Sequence, residues 1–378
     1  MESNSSRRAN VSFAVLAGIV VVAGFMATQF PPRPAAPAPA AAISPSPVAI
    51  DYGPPPPSVP LVWVQDPNHS GWLIGFDWTG KPRGTVKISQ QVAQFDRLSQ
   101  APDGTAFAYE PNAKGGFQVF FDRTGNPIAN SGPSVRYQSE MWADDSRHLC
   151  TLDAQSGGLG LMLPGAAPNP VNAVALDPAL ARSGIIAFSF AACSARNDRA
   201  VITYSYTGRP TAYWVVRISD GAILQQRTYA AGQVANATAS MDGSLIAESS
   251  GQSAGQPAPN AASTVIRRAS DLSVMTTLAP NIGVLAFSGD NSAALVSTAP
   301  LIAGQAAMLE VLDLQTGRVM WTGEGTSALS AVLVQPAGNA FAVALGQPGE
   351  GNTSATILMI YGDGSRPAKL PGLFIPTW

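Results

Sequence analysis

One short turn signal recurs along this chain at intervals of about 41 to 53 residues, and a repeat of that length admits few architectures. It reads PDG at 102–104, ADDS at 143–146, ARND at 195–198, MDG at 241–243, SGDN at 288–291 and PAGN at 336–339, each time between two apolar runs. A second signal closes a later run of the unit: DWTG from Asp77, DRTG from Asp122, SDG from Ser219, DLQTG from Asp313 and GDG from Gly362. Asp-Gly and Asp-x-x-Gly between apolar runs are tight-turn chemistry, because glycine takes positive φ and the aspartate bonds its own backbone.

The runs between these signals, such as GFQVFFD, TAYWVVRI, MLEVLDL and ATILMIY, are rich in β-branched and aromatic residues and read as period-2 strands. Each unit is therefore strand, turn, strand, loop, strand, turn, strand, the plan of a propeller blade. Six units own a first strand, beginning near Phe95, Val135, Ile185, Val234, Ile282 and Ala328. The front unit, LVWVQ, GWLIGFD and GTVKI, has three strands and lacks the first. At the other end the chain stops in FIPTW, from Phe374 to Trp378, with no unit to follow. Pairing that last strand with the leading three predicts an all-β, seven-bladed β-propeller over residues 61–378, with four-stranded antiparallel blades and a ring closed against edge-to-edge aggregation.

Two segments, SQAPDGTAFAYE from Ser99 and ASMDGSLIAES from Ala239, resemble the "S-P-D-G, then apolar-apolar-Ala" segment of the WD-repeat-like and TolB-like propellers. The likeness extends over the whole repeated body. The Gly-His and Trp-Asp dipeptides of the true WD repeat are missing, so the resemblance implies a superfamily and no particular activity.

The first 60 residues are of another kind. Residues 11–30, VSFAVLAGIVVVAGFMATQF, carry no charge and as a helix would cross about 30 Å of hydrocarbon, so they predict a transmembrane signal anchor. Arg7 and Arg8 precede the run and only Arg33 follows closely, which places residues 1–10 in the cytoplasm and the body outside, in a single-pass cell-membrane protein. The alternative is a cleaved signal peptide ending at Ala38-Pro39-Ala40, but the run exceeds the usual apolar core of roughly 7–15 residues. Residues 31–60 are dominated by proline and alanine and read as a stiff, extended spacer.

Composition narrows the partners. With a net charge of −2 and no basic cluster, nothing supplies the phosphate neutralisation that nucleic-acid binding needs. Two cysteines, Cys150 and Cys193, are too few for a disulfide framework or a zinc motif. Aligned on the turns, Cys150 shares a slot with Ala108, Thr203, Ala247, Leu295 and Ala342, which suits a buried thiol. A bridge from Cys150 to Cys193 across adjacent blades is the other reading in an oxidising compartment.

Catalytic signatures are weak. GQSAG at 251–255 has the nucleophile-elbow spelling but sits in a Gly/Ser/Pro stretch between strands, and GGLGLMLPG from Gly157 lacks the Lys-Ser/Thr of a phosphate loop. His69 falls in a hairpin loop and His148 at a strand position, and no catalytic residue, metal site or cofactor is assigned. Two longer connections, 166–184 with a short helix expected at 175–183, and 249–263, break the period as candidate recognition loops. The tryptophans at 63, 72, 78, 142, 214 and 321 read as packing between blades.

One turn-aligned column stands out. Glu140 occupies a first-strand slot held elsewhere by Leu98, Cys193, Ala237, Leu285 and Val332, and Arg97 and Asn236 fall one residue earlier in their own units. First strands line a propeller's tunnel, so Arg97, Glu140 and Asn236 are the candidate binding patch at the tunnel mouth. A bulge that turns Glu140 to solvent is the competing reading. The sequence thus suggests a membrane-anchored, extracytoplasmic module that binds or scaffolds a protein or cell-envelope partner. A propeller-type enzyme, a hydrolase, lactonase or quinoprotein-like dehydrogenase with its site at the tunnel mouth, is the alternative.

Overall fold

In a computed structural model, the residues described run from Asp51 to Ile375, leaving out 57, 67, 70 and the stretches 89–96, 111–118, 131–136, 154–157, 165–173, 176–184, 207–211, 230–232, 253–262, 299–307, 325–327 and 347–355. They build seven four-stranded antiparallel sheets. Blade 1 holds β1 (Leu61–Gln65), β2 (Trp72–Asp77) and β3 (Pro82–Lys87). Blade 2 follows with β4 (Arg97–Gln100), β5 (Ala106–Glu110), β6 (Val119–Asp122) and β7 (Pro127–Asn130). In blade 3 come β8 (Tyr137–Trp142), β9 (Leu149–Asp153), β10 (Gly158–Met162) and a short β11 (Val174–Ala175). The longest strands are in blade 4: β12 (Ile185–Ser194), β13 (Arg199–Tyr206), β14 (Ala212–Arg217) and β15 (Ile223–Thr228). Blade 5 is β16 (Gln233–Ala239), β17 (Leu245–Gln252), β18 (Ser263–Arg268) and β19 (Val274–Thr277). The last two are β20 (Ile282–Phe287), β21 (Ala293–Thr298), β22 (Met308–Asp313) and β23 (Val319–Glu324), then β24 (Ala328–Val334), β25 (Ala340–Gly346), β26 (Thr356–Tyr361) and β27 (Ala368–Leu370).

Only β28 (Leu373–Phe374) breaks the sequential order, and it does so to close the ring. It lies beside β1, with Val64 opposite Phe374 and Gln65 opposite Leu373, and takes the innermost place that the front unit lacks. Ile375 next to it is buried, and residues 376–378 lie outside the described residues.

The interior is a set of interfaces rather than one core. Each pair of neighbouring blades shares its own apolar cluster, from Trp63 with Phe107 between blades 1 and 2 round to Val64 with Met359 between blades 7 and 1. The middle strands of a blade are therefore covered on both faces. That is why residues 61–64 and 213–216 are buried without a break, where simple alternation was expected. Trp63, Trp214, Tyr213, Phe107 and Phe341 are among the largest fully buried side chains, each contributing about 1.5–3 kcal/mol by leaving water.

Other expectations change or fall outside the description. The stretch 166–184, read as an insertion with a helix, contains β11, the fourth strand of blade 3, paired through Gly158 with Ala175 and Leu159 with Val174. The proposed head, anchor and spacer up to residue 50 lie outside the described residues. Among the described residues, no helix is long and apolar enough to cross a membrane. Residues 51–56 and 58–60, from the end of the proline-rich stretch, lie against blade 1, where Thr85 N donates to Gly53 O at 2.8 Å.

The first-signal turns lace one end of the ring from blade to blade. Leu61 N donates to Asp103 O (3.1 Å), Asp103 N to Ser146 Oγ (3.1 Å), Asp144 N to Cys193 O (3.1 Å), Asn197 Nδ2 to Asp242 O (3.0 Å) and Asp290 N to Gly338 O (3.2 Å). Burial alone would push the carboxyls of Asp77, Asp122, Asp145, Asp242 and Asp290 up. Hydrogen bonds from nearby Ser, Thr, His, Arg or Asn side chains and from backbone N–H groups outweigh it, and all five end below the ordinary value of 3.8. Their contribution to stability is complete above the unfolded-state value and is lost as pH falls through the lower folded values. Asp144 runs the other way: burial raises it, so stability is lost as pH climbs from the unfolded-state value through its higher folded value. With the lowered carboxylates outnumbering the raised one, the melting temperature is expected to drop on acidification below about pH 4, as thermal scans across a pH series will show.

Candidate functional site

The strand ladders supply the frame that turn alignment approximated. Gln100 opposes Phe107, Trp142 opposes Leu149, Cys193 opposes Ala200 and Ala239 opposes Ile246, so these four share one level. Cys193 therefore sits two residues further along than the column with Leu98 and Ala237 to which the turns assigned it. The ARND turn of blade 4 is built differently from the rest, with positive φ at Asp198 rather than one residue earlier, and bulges at 185–187 and 190–192 absorb the shift. By the same ladder Cys150 aligns with Val201, not Thr203.

Arg97, Glu140 and Asn236 lie on the innermost strands β4, β8 and β16, opposite Glu110, Thr151 and Ser249. They belong to blades 2, 3 and 5. The side chains of Arg97 and Asn236 fall outside what the structure describes, so it does not assemble the three into one patch. Glu140 is half-buried and its Oε1 is shielded from solvent. A bulge at 137–139 does precede it, yet the strand does not turn the whole carboxylate outward.

Cys150 on β9 and Cys193 on β12 are joined by a disulfide, with Cα atoms 6.4 Å apart, inside the apolar cluster between blades 3 and 4. The bond closes a loop of 43 residues and ties two blades that otherwise meet through side-chain packing and the hydrogen bonds of Asp144. Replacing both cysteines with alanine is expected to lower unfolding free energy by about 2–4 kcal/mol, read from urea denaturation of the oxidised and variant chains.

His148 caps its own turn: Nδ1 lies 2.5 Å from Asp145 Oδ2, while Asp145 Oδ1 accepts from the backbone N of Arg147 and His148. His69 does the same with Asp66 at 2.8 Å. Gly251 and Gln252 of the GQSAG stretch belong to β17, and 253–255 lie outside the described residues. Trp63, Trp78, Trp142 and Trp214 are buried between blades. Among the described residues, no group of three or more His, Cys, Asp or Glu side chains is placed to hold a metal ion.

The most concentrated chemistry was not singled out from the sequence. Glu248 on β17 is buried between blades 4 and 5. Its Oε1 accepts a hydrogen bond from Tyr213 Oη at 2.5 Å and lies 2.8 Å from both Arg227 Nε and Arg267 Nε. Neither guanidinium approaches along its Nε–H direction, so these contacts are charge pairing more than hydrogen bonding. The Arg227 guanidinium lies 5.8 Å from the Tyr229 ring centre, and burial, with Glu248 alongside, pushes the hydroxyls of Tyr213 and Tyr229 up beyond their usual range. The signal was available: Glu248 stands in a second-strand row with Tyr109, Thr151, Ile202, Val296 and Val343, a carboxylate among mostly apolar residues.

Neither a family model nor any curated protein sequence matches the chain. Solved structures do resemble it. Hydrazine synthase of Kuenenia stuttgartiensis is 12% identical, with a TM-score of 0.51, covering 79% of this chain and 96% of that one. TolB from Acinetobacter baumannii is 14% identical at a TM-score of 0.40, covering 84% and 64%. The β-propeller domain of Cps50 (Swd1) from Myceliophteria thermophila is 12% identical at 0.46, covering 76% and 90%. Identities this low speak to fold alone. With seven radial four-stranded sheets and a ring closed by its last strand, the chain is a seven-bladed β-propeller.

Proposed function

We propose that this propeller is a membrane-tethered, extracytoplasmic module that binds or scaffolds a protein or cell-envelope partner. The observation that carries the reading is the Cys150–Cys193 bond between two blades, because disulfides persist in oxidising compartments. It agrees with the orientation that Arg7, Arg8 and the uncharged run 11–30 predict. Binding is supported by the construction: a ring laced at one end by turn-to-turn bonds is a rigid platform, and recognition usually rides on the connections of such a scaffold. In this reading Glu140, with Arg97 and Asn236, contributes to the ligand-facing end of the tunnel.

Thiol alkylation of the full chain, unfolded in denaturant as it is extracted from cells so that buried thiols are reached, tests the location. Both cysteines should resist a maleimide until reductant is added, and the chain should fractionate with membranes. Free thiols in the unreduced chain would end the extracytoplasmic reading. Cross-linking and pull-down with the same chain test the binding role. Recovery of the same partners by wild type and Glu140→Gln would remove the tunnel patch from the proposal.

A further inference from the structure

Residues 52–56, 58 and 59 are fastened to the rim of the ring by contacts of several kinds. Tyr52 N donates to Thr85 Oγ1 and Thr85 N donates to Gly53 O, both at 2.8 Å, so the segment covers the outer edge of β3 as a further strand would. Gly84 leaves room for it, since a Cβ there would fall 2.6 Å from Pro55 Cα. Further on, Arg123, itself buried in the second-signal turn of blade 2, donates from Nη2 to Val59 O at 2.8 Å. Val59 packs onto the cluster between blades 1 and 2, and Leu61 N then reaches Asp103 O in the first-signal turn of blade 2. A solvent-open cleft of about 180 Å³ remains between this segment and Thr85, Val86 and Thr124.

We propose that residues 52–56, 58 and 59 act as a strap that shields the outer edge of β3, fastens it to the second-signal turn of blade 2 and leads the chain to the turn-laced end, where β1 begins.

Two measurements on the full chain decide it. The Thr85 amide faces away from β2, so without the strap it would meet water; with it, hydrogen exchange should be slowed by about 100-fold or more. Gly84→Ala should release that protection by at least about tenfold while leaving Val201, deep in blade 4, unchanged. Thr85→Val, which removes the side-chain acceptor for Tyr52 N, is the gentler second variant and should loosen the segment in the same direction. Spin labels at Tyr52→Cys and at Ser270→Cys on blade 5 should give one narrow distance in the otherwise wild-type chain and a broad one when Gly84→Ala is added. Fast Thr85 exchange in the wild type, or a broad distance distribution that Gly84→Ala does not alter, overturns the strap. Neither measurement involves a membrane or a partner, so a chain shown to be untethered would end the proposed function and leave the strap standing.

Discussion

Replacing Gln100 with leucine lowers the stability of the ring by about 2–5 kcal/mol, because three backbone groups lose the side chain that satisfies them. Gln100 ends the inner strand of blade 2 and is wholly buried. Its Oε1 accepts from Trp63 N at 3.0 Å, while Nε2 donates to Trp63 O at 3.0 Å and to Ile375 O at 2.5 Å. The register of Val64 with Phe374 and Gln65 with Leu373 would next bring Trp63 opposite Ile375. At that point the side-chain amide stands in for the missing rung between the first and last strands of the ring. Gln100→Glu separates this account from loss of volume. The carboxylate keeps the acceptor and loses both donors at neutral pH, so it should be as damaging as leucine while occupying nearly the same space. Urea denaturation of the three proteins gives the ordering. Ending the chain at Gly372 should cost more still, because it uncovers β1 and removes Ile375. The expected outcome is a truncated chain that elutes as aggregates on size exclusion, and a monomer with native melting behaviour would refute the closure argument.

The second large effect is expected at Glu248. Substituting glutamine keeps the shape but leaves Arg227 and Arg267 facing each other beside two tyrosines, with the single countercharge gone. Arg267 is largely buried and Arg227 is about two-fifths exposed, so the penalty falls mainly on Arg267. Removing one partner of a buried ion cluster costs about 3–5 kcal/mol. The double replacement Glu248→Leu with Arg267→Leu should recover much of that loss, since no buried charge is then stranded. A destabilised double variant no better than Glu248→Gln would mean that the carboxylate matters through something other than charge balance between blades 4 and 5.

These sites show where sequence reading reached and where it stopped. The two turn signals located the blades because tight turns need particular residues at fixed offsets, and Gly104, Gly125, Gly243 and Gly317 all adopt the positive φ that the pattern requires. The same signals misplaced Cys193, and set Thr203 in place of Val201 beside Cys150, because the aspartate of the ARND turn, Asp198, itself takes the positive φ, whereas in the other Asp-containing turns the residue after the aspartate does. The fourth strand of blade 3 went unseen because two residues, Val174 and Ala175, carry too little pattern to mark a strand.

Glu140 drew attention as a polar residue in an apolar column, and the same comparison along the second strands would have drawn out Glu248. It would not have named Tyr213, Arg227 and Arg267, which reach that carboxylate from three other strands. Gln100 lay in the open too, as an amide where other units have Trp142, Ala239 or Phe287. By itself the sequence determined the number of blades, their strand order and the closing role of the C-terminus, since backbone turns and apolar runs are local and each unit repeats them. Which polar side chains meet across the seams was decided only by the tertiary structure, because blades pack face to face through residues remote in the chain, and no local pattern encodes that register.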